Sequence, residues 1–189
     1  GRPVQRVFVP GCAPAGRPGE PEVPACSALL GVPPTAELHL RILEQDSVPL
    51  TGDYSLPPVP EAVIAEDMLS PAGPAEAQIA GRRHSEGPAY ASDAPFPQQP
   101  AMLGRPAFLR HQRLVALTVF PLQYRPRSGR LLYHRRLRIE IEFGDVRERG
   151  GLRPEPPIWE GLLAHTLLNY DQARNFRQTA ALPLDLLPA

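Results

Sequence analysis

The chain predicts a mainly β domain, an antiparallel sandwich or open barrel that carries a long proline-rich loop and a C-terminal helix. Three observations carry that reading. Leu114-Val115-Ala116-Leu117-Thr118-Val119-Phe120 is apolar on both faces, as a strand in the middle of a sheet must be. Leu137, Ile139, Ile141 and Phe143 alternate with Arg136, Arg138, Glu140 and Glu142, so a slip of one residue would bury all four charges. Ala36, Leu38, Leu40 and Ile42 alternate in the same way with Glu37, His39 and Arg41. Helical spacing enters only beyond Gly150-Gly151, which leaves strands for the body of the domain.

Residues 1–34 are rich in proline and read as an extended N-terminal arm. Val9-Pro10-Gly11-Cys12 and Val23-Pro24-Ala25-Cys26 echo each other, but two copies make no repeat array. The core is expected over 35–148, opening with a strand from Thr35 to Glu44. Residues 52–101 show little periodicity, so this long loop is functional, disordered, or hides short strands. Pro121 to Pro126 ends the central strand, and Arg127-Ser128-Gly129-Arg130 supplies the turn. Residues 149–189 are expected to form a helical connecting segment towards a downstream domain. There Pro156-Pro157 opens the helix, and Ile158, Leu162, Leu163, Leu167 and Tyr170 recur at helical spacing. So short a helix is marginal alone and depends on what it packs against. The tail from Ala180 to Ala189 reads as a linker. Gly1-Arg2-Pro3-Val4 does not begin like a native start, so a fragment with its signal peptide trimmed away is expected.

Composition excludes several classes. The 26 prolines in 189 residues are far above the average of about 5%, so much of the chain is neither helix nor central strand. The 20 basic and 20 acidic residues cancel, which removes a composition-level case for nucleic acid or an anionic membrane. All 20 basic residues are arginine; a GC-rich coding bias explains this more simply than bidentate pairing does. No run reaches the roughly 18 apolar residues of a membrane span.

The stock for thiol or metal chemistry is Cys12, Cys26 and five histidines, His39, His84, His111, His134 and His165. No Cys-x-x-Cys or His-x-x-x-His spacing occurs, so no structural zinc and no cofactor is expected. Cys12 and Cys26 could close a disulfide in a secreted protein; the alternative is two free thiols in an extended arm. Neither thiol has a helix N-terminus or a fixed base to activate it. His39 and His134 fall on polar strand faces and are expected to be exposed. Carboxylates such as Glu66-Asp67 lie in loops without pocket context, and no glycine-rich phosphate loop is present. Trp159 and Tyr170 are expected to anchor the helix rather than form a binding box.

Val119-Phe120-Pro121-Leu122-Gln123-Tyr124-Arg125-Pro126, followed by Ser128-Gly129-Arg130-Leu131 and Tyr133, resembles a segment of the N-terminal prodomain of gingipain-type cysteine peptidases. The family-motif residues here are Pro121, Gln123, Tyr124, Gly129 and Tyr133. Three further stretches agree: Gly19-Glu20-Pro21-Glu22-Val23-Pro24, the basic run Arg110-His111-Gln112-Arg113, and Leu162-Leu163 with Leu167-Leu168-Asn169-Tyr170. Together they span most of residues 19 to 178. Arg125 stands where the family has asparagine, and His111 replaces the glycine of the basic run. Nothing here resembles the family's catalytic domain.

The resemblance implies a compact β-sandwich and a propeptide role. Such a domain would keep a downstream secreted cysteine peptidase latent and assist its folding, by covering its active-site cleft. The implied partner is the catalytic domain of the same polypeptide, at the cell surface or outside the cell. Gly81-Arg82-Arg83-His84 lies in the long loop, and Arg82 or Arg83 is the candidate to enter the peptidase's specificity pocket. Arg110, Arg113, Arg125, Arg127 and Arg130 are weighed beside them; for any one arginine a solvated surface position is the default. The alternative function is a non-catalytic β-sandwich spacer or adhesion module of a secreted multidomain protein, which needs no inhibitory loop. An independent enzyme would require convergent titratable groups that the sequence does not show.

Overall fold

A computed structural model describes residues 3–64, 79–146 and 150–179. In chain order the strands are β1 (Ala13–Ala15), β2 (Val23–Val32), β3 (Glu37–Leu50), β4 (Glu61–Ile64), β5 (Ile79–Arg83), β6 (Ala101–Leu103), β7 (Ala107–Leu109), β8 (Gln112–Val119), β9 (Leu122–Arg125) and β10 (Arg130–Gly144). Helices α1 (Pro157–Thr166) and α2 (Tyr170–Ala173) follow. One sheet runs β1-β2-β8-β6, with β7 also paired to β8; a second runs β3-β10-β9; β4 and β5 form a separate ribbon. Fold class is therefore as the alternation predicts: antiparallel sheets with helix at the C-terminal end. Strand β8 holds partners on both edges, so it is an inner strand of its sheet as the doubly apolar run predicts.

The chain divides into two compact units. The first comprises Gly1–Cys26, Asp46–Pro100 and Phe120–Arg135. Its core gathers Val23 and Ala25 of β2 with Leu56, Phe120, Tyr124 of β9 and Leu131 of β10. The second comprises Ser27–Gln45, Ala101–Val119 and Arg136–Ala189. There Leu30 and Val32 of β2 and Val115 of β8 meet Leu38 of β3 and Ile141 of β10, so side chains of the two sheets interdigitate. Leu163, Leu167 and Ala173 pack in this same unit against Leu29, Leu109 and Leu114, which supplies the packing that so short a helix needs.

The proline-rich stretch 1–34 holds two strands rather than a bare arm. Pro14 and Pro24 face each other across β1 and β2, and β1 is the sheet edge, where a missing N–H is tolerated. Cys12 and Cys26 are joined as a disulfide beside this pair. Strand β3 runs to Leu50, past the expected end at Glu44. Its polar side pairs with β10 through Arg41–Glu142 at 2.5 Å and Glu44–Arg136 at 3.5 Å, exposed ion pairs that fix register more than they stabilise. Residues 52–101 hide the short strands β4 and β5 and a 3-10 turn at Pro88–Ala91.

The expected exposure of His134 is also corrected. His39 is exposed, but His134 is only 5% exposed. Its Nδ1 lies 2.7 Å from Ser47 Oγ, and burial holds its pKa below the usual value. Alternation marks which face a residue occupies, not what covers that face.

Candidate functional site

The β4–β5 ribbon carries both candidate arginines. Its register places Glu61 opposite Arg83, Ala62 opposite Arg82 and Val63 opposite Gly81, with a shift between Val63 and Ile64. Arg82 and Arg83 thus stand on a paired strand, not at a free loop tip. Among the described residues β5 pairs with β4 alone, and its other edge has no strand partner among them. Arg83 is exposed, opposite the exposed Glu61.

Hydrogen bonds at the base of the ribbon hold it in place. Glu22 N donates to Pro57 O at 2.9 Å, Val59 N to Glu20 O at 2.8 Å and Gly19 N to Val59 O at 2.9 Å. On the far side Gly87 N donates to Gly19 O at 2.8 Å. Gly19 takes a left-handed φ of 84°, which glycine alone adopts readily. A Cβ at Gly87 would come within 2.9 Å of Gly19 O, so close approach excludes a side chain there. The Tyr90 hydroxyl donates to Leu56 O at 2.9 Å, and burial pushes its pKa up. The Gly19–Pro24 stretch that resembles the family is therefore the brace under the ribbon.

The motif hairpin β9–β10 anchors the chain that returns from the ribbon. Gln123 Nε2 donates to Pro97 O at 2.8 Å, just past the cis bond between Phe96 and Pro97. Tyr124, 2% exposed, exchanges backbone hydrogen bonds with Phe96 and donates its hydroxyl to Tyr54 O at 3.0 Å. Gly129 turns with φ 68° and donates to Arg125 O at 2.9 Å. Pro121 O accepts from His134 N at 2.9 Å, and Tyr133 pairs with Leu122. Arg125, standing in place of asparagine, donates to Asp93 O at 3.0 Å. Gln123 and Tyr124 thus read as scaffold that positions the 96–98 segment.

The other weighed arginines divide. Arg127 and Arg130 are exposed. Arg113 donates to Pro33 O at 3.1 Å and Ala36 O at 2.6 Å. Arg110, at a left-handed φ of 56°, donates to Glu155 Oε2 at 2.7 Å and lies over the Trp159 ring at 5.4 Å. His111 Nδ1 sits 2.6 Å from the other oxygen of Glu155. Burial alone would raise the Glu155 pKa, but hydrogen bonds from His111 and Arg110 outweigh it and hold the carboxyl below its usual value.

Sequence reasoning missed a second pair. Arg177, 1% exposed, makes a bidentate contact with Glu160 at 2.6 and 2.8 Å and donates to Arg153 O at 2.6 Å. The Tyr170 hydroxyl donates to Glu160 Oε2 at 2.6 Å. Their spacings of 17 and 10 residues cross a turn and carry no helical period, so no local pattern points to them. Neither thiol can act as a nucleophile, because Cys12 and Cys26 are bonded to each other.

The Propeptide_C25 family model matches residues 1–176. No curated protein matches the chain. Among solved structures, the complex of Porphyromonas gingivalis RgpB pro- and mature domains is similar at 20% identity with a TM-score of 0.64, covering 85% of this chain and 78% of that one. Gingipain K from Porphyromonas gingivalis, solved for its zymogenic latency, is similar at 26% identity and a TM-score of 0.52, over 71% of this chain and 70% of that one. With the brace, the motif hairpin and the 162–170 run all inside the matched residues, the chain belongs to the Propeptide_C25 family.

Proposed function

We propose that this domain is the propeptide that holds a C25 cysteine peptidase latent and assists its folding by covering the active-site cleft. The family match over residues 1–176 carries the reading. The domain itself is not catalytic. Its partner is the mature peptidase domain of the same polypeptide, and tethering raises the effective concentration of the covering surface. A spacer role accounts for neither the family match nor the braced ribbon. The Cys12–Cys26 disulfide supports a secreted or cell-surface setting, since such bonds persist in oxidising compartments.

The β4–β5 ribbon is the element proposed to enter the cleft. What supports it is a strand edge without a partner among the described residues, with two adjacent arginines on a braced base, since such an edge can pair with a partner's backbone while one side chain fills a pocket. For a peptidase that prefers arginine, Arg82 or Arg83 fills the specificity pocket. The test is titration of the mature peptidase with wild-type domain and with Arg82→Ala/Arg83→Ala. The double variant should inhibit tens- to thousands-fold less, as expected for losing about 2–5 kcal/mol from a charge-assisted contact. Equal inhibition would remove the arginines from the mechanism, and no inhibition by wild type would remove the propeptide reading.

A further inference from the structure

Helix α1 is apolar on two faces. Leu163 turns inward and packs with Leu167 and Ala173. Ile158 and Leu162 turn outward, 78% and 46% exposed, and with Trp159, Gly161 and His165 they line a groove of about 610 Å³. A helix that is apolar beyond one stripe is ordinarily covered on both sides. A lone exposed leucine needs no account, but a contiguous apolar groove does.

Gly161 is the second observation. Glycine inside a helix destabilises it by about 1 kcal/mol relative to alanine. A Cβ built at Gly161 meets no heavy atom within 4 Å, and its φ is not left-handed. Neither packing among the described residues nor backbone conformation therefore calls for glycine here. The residue lies three after Ile158 and four before His165, on the groove side of the helix. A side-chain-free notch in an apolar face lets another chain approach closely.

We propose that this outer face of α1, built around the Gly161 notch, is a docking surface for the C25 peptidase domain that the propeptide accompanies. The proposal rests on the latency reading above and adds a contact that reading does not name. Charge on the groove is low: the Glu160 carboxylate is turned to Arg177 and Tyr170, and Arg110 to Glu155. The matching surface is thus an apolar patch with one bulky side chain or a close backbone at the notch. Size decides between occupants. Five lining residues fall far short of the roughly 20–30 per side of a stable interface, so the patch alone does not hold a second copy. A tethered domain that already touches the propeptide elsewhere can use so small a contact.

The experiment compares the full propeptide with Gly161→Gln and with Ile158→Glu/Leu162→Glu, reading melting midpoint, inhibition constant against the mature peptidase, and sedimentation. Gly161→Gln should leave the melting midpoint unchanged or raised, because glutamine is a better helix former, while inhibition weakens tenfold or more. Ile158→Glu/Leu162→Glu should weaken inhibition similarly without unfolding the domain. If wild type inhibits and both variants match it, the α1 surface is overturned while the latency reading stands. If wild type does not inhibit, both fall. A wild-type dimer that Ile158→Glu/Leu162→Glu disperses would make a second copy the occupant, and would overturn the assignment to the peptidase.

Discussion

The side-chain amide of Asn169 reads both backbone groups of Gly31: its Oδ1 accepts from Gly31 N at 2.8 Å and its Nδ2 donates to Gly31 O at 2.9 Å. Asparagine here mimics a neighbouring strand on β2, beside the backbone bond from Leu168 N to Leu29 O at 2.9 Å. Gly31 answers the fit, since a Cβ there would lie 2.3 Å from the Cβ of Ala173. Asn169→Ala should lose about 2 kcal/mol, because it leaves two half-buried backbone groups unpaired. Gly31→Ala should cost at least as much by pushing α2 off the strand. Urea denaturation of each variant measures both, and wild-type stability in Asn169→Ala would refute the strand-mimic role.

The Cys12–Cys26 bond closes a loop with a sequence separation of 14. A loop of that size removes about 3 kcal/mol of unfolded-state freedom in the chain-entropy description. Cys12→Ser/Cys26→Ser should lower the unfolding free energy by roughly that amount. Reductant should shift wild type to the same midpoint and leave the double variant unmoved. A reductant-insensitive wild type would show that the bond does not stabilise the fold.

Much of the sheet was legible because each long strand carries its own pattern. The doubly apolar run ending at Phe120 could only be central, and the charges from Arg136 to Glu142 fixed one face. Less legible was whatever rests on partners distant in sequence. Prolines at 14 and 24 argue locally against strands, yet they face each other at an edge, where that objection lapses. For Arg110 of the basic run a solvated surface position is the default, yet it and His111 both meet Glu155, 44 residues away from His111. Gln112, 0% exposed, gives no hint of burial in its sequence context. The proposed site divides likewise: Arg82 and Arg83 stood out by their place in the long loop under the family resemblance, whereas their strand pairing and the brace at Gly19 come from contacts no local period encodes.

Acid should weaken the fold through Glu160. The bonds from Arg177, then from Tyr170, hold its carboxyl well below the usual carboxylate range despite partial burial. A folded-state pKa below the unfolded value of about 4.3 gives stability that is full above that value. It is lost as pH falls towards the folded pKa. The unfolding midpoint should therefore drop on acidification below about pH 5, and Glu160→Gln should flatten part of that drop. Glu155 is shifted in the same direction and should keep the remainder. Arg177→Met at neutral pH should cost about 2–3 kcal/mol, less than a fully buried pair because Glu160 keeps 25% of its side chain exposed. An unchanged acid profile in Glu160→Gln would assign the sensitivity elsewhere.

The brace under the ribbon offers a separate test of inhibition by β4–β5. Gly87 N bonds Gly19 O, and a side chain at Gly87 would press against that same oxygen. Gly87→Ala must therefore displace the 84–91 segment from the Gly19 turn, while the buried residues Val23, Tyr124 and Leu131 of the same unit are untouched. If the ribbon enters the cleft, losing its preorganised base should weaken inhibition by roughly tenfold, about 1.4 kcal/mol. Global stability should change less than that, since the bond lies at the surface. Gly19→Ala, strained at a left-handed φ, should act in the same direction. The measurements are the inhibition constant against the mature peptidase and the denaturation midpoint, taken on the same preparations. Loss of stability without loss of inhibition would mean that the ribbon is an ornament of the fold rather than its inhibitory element.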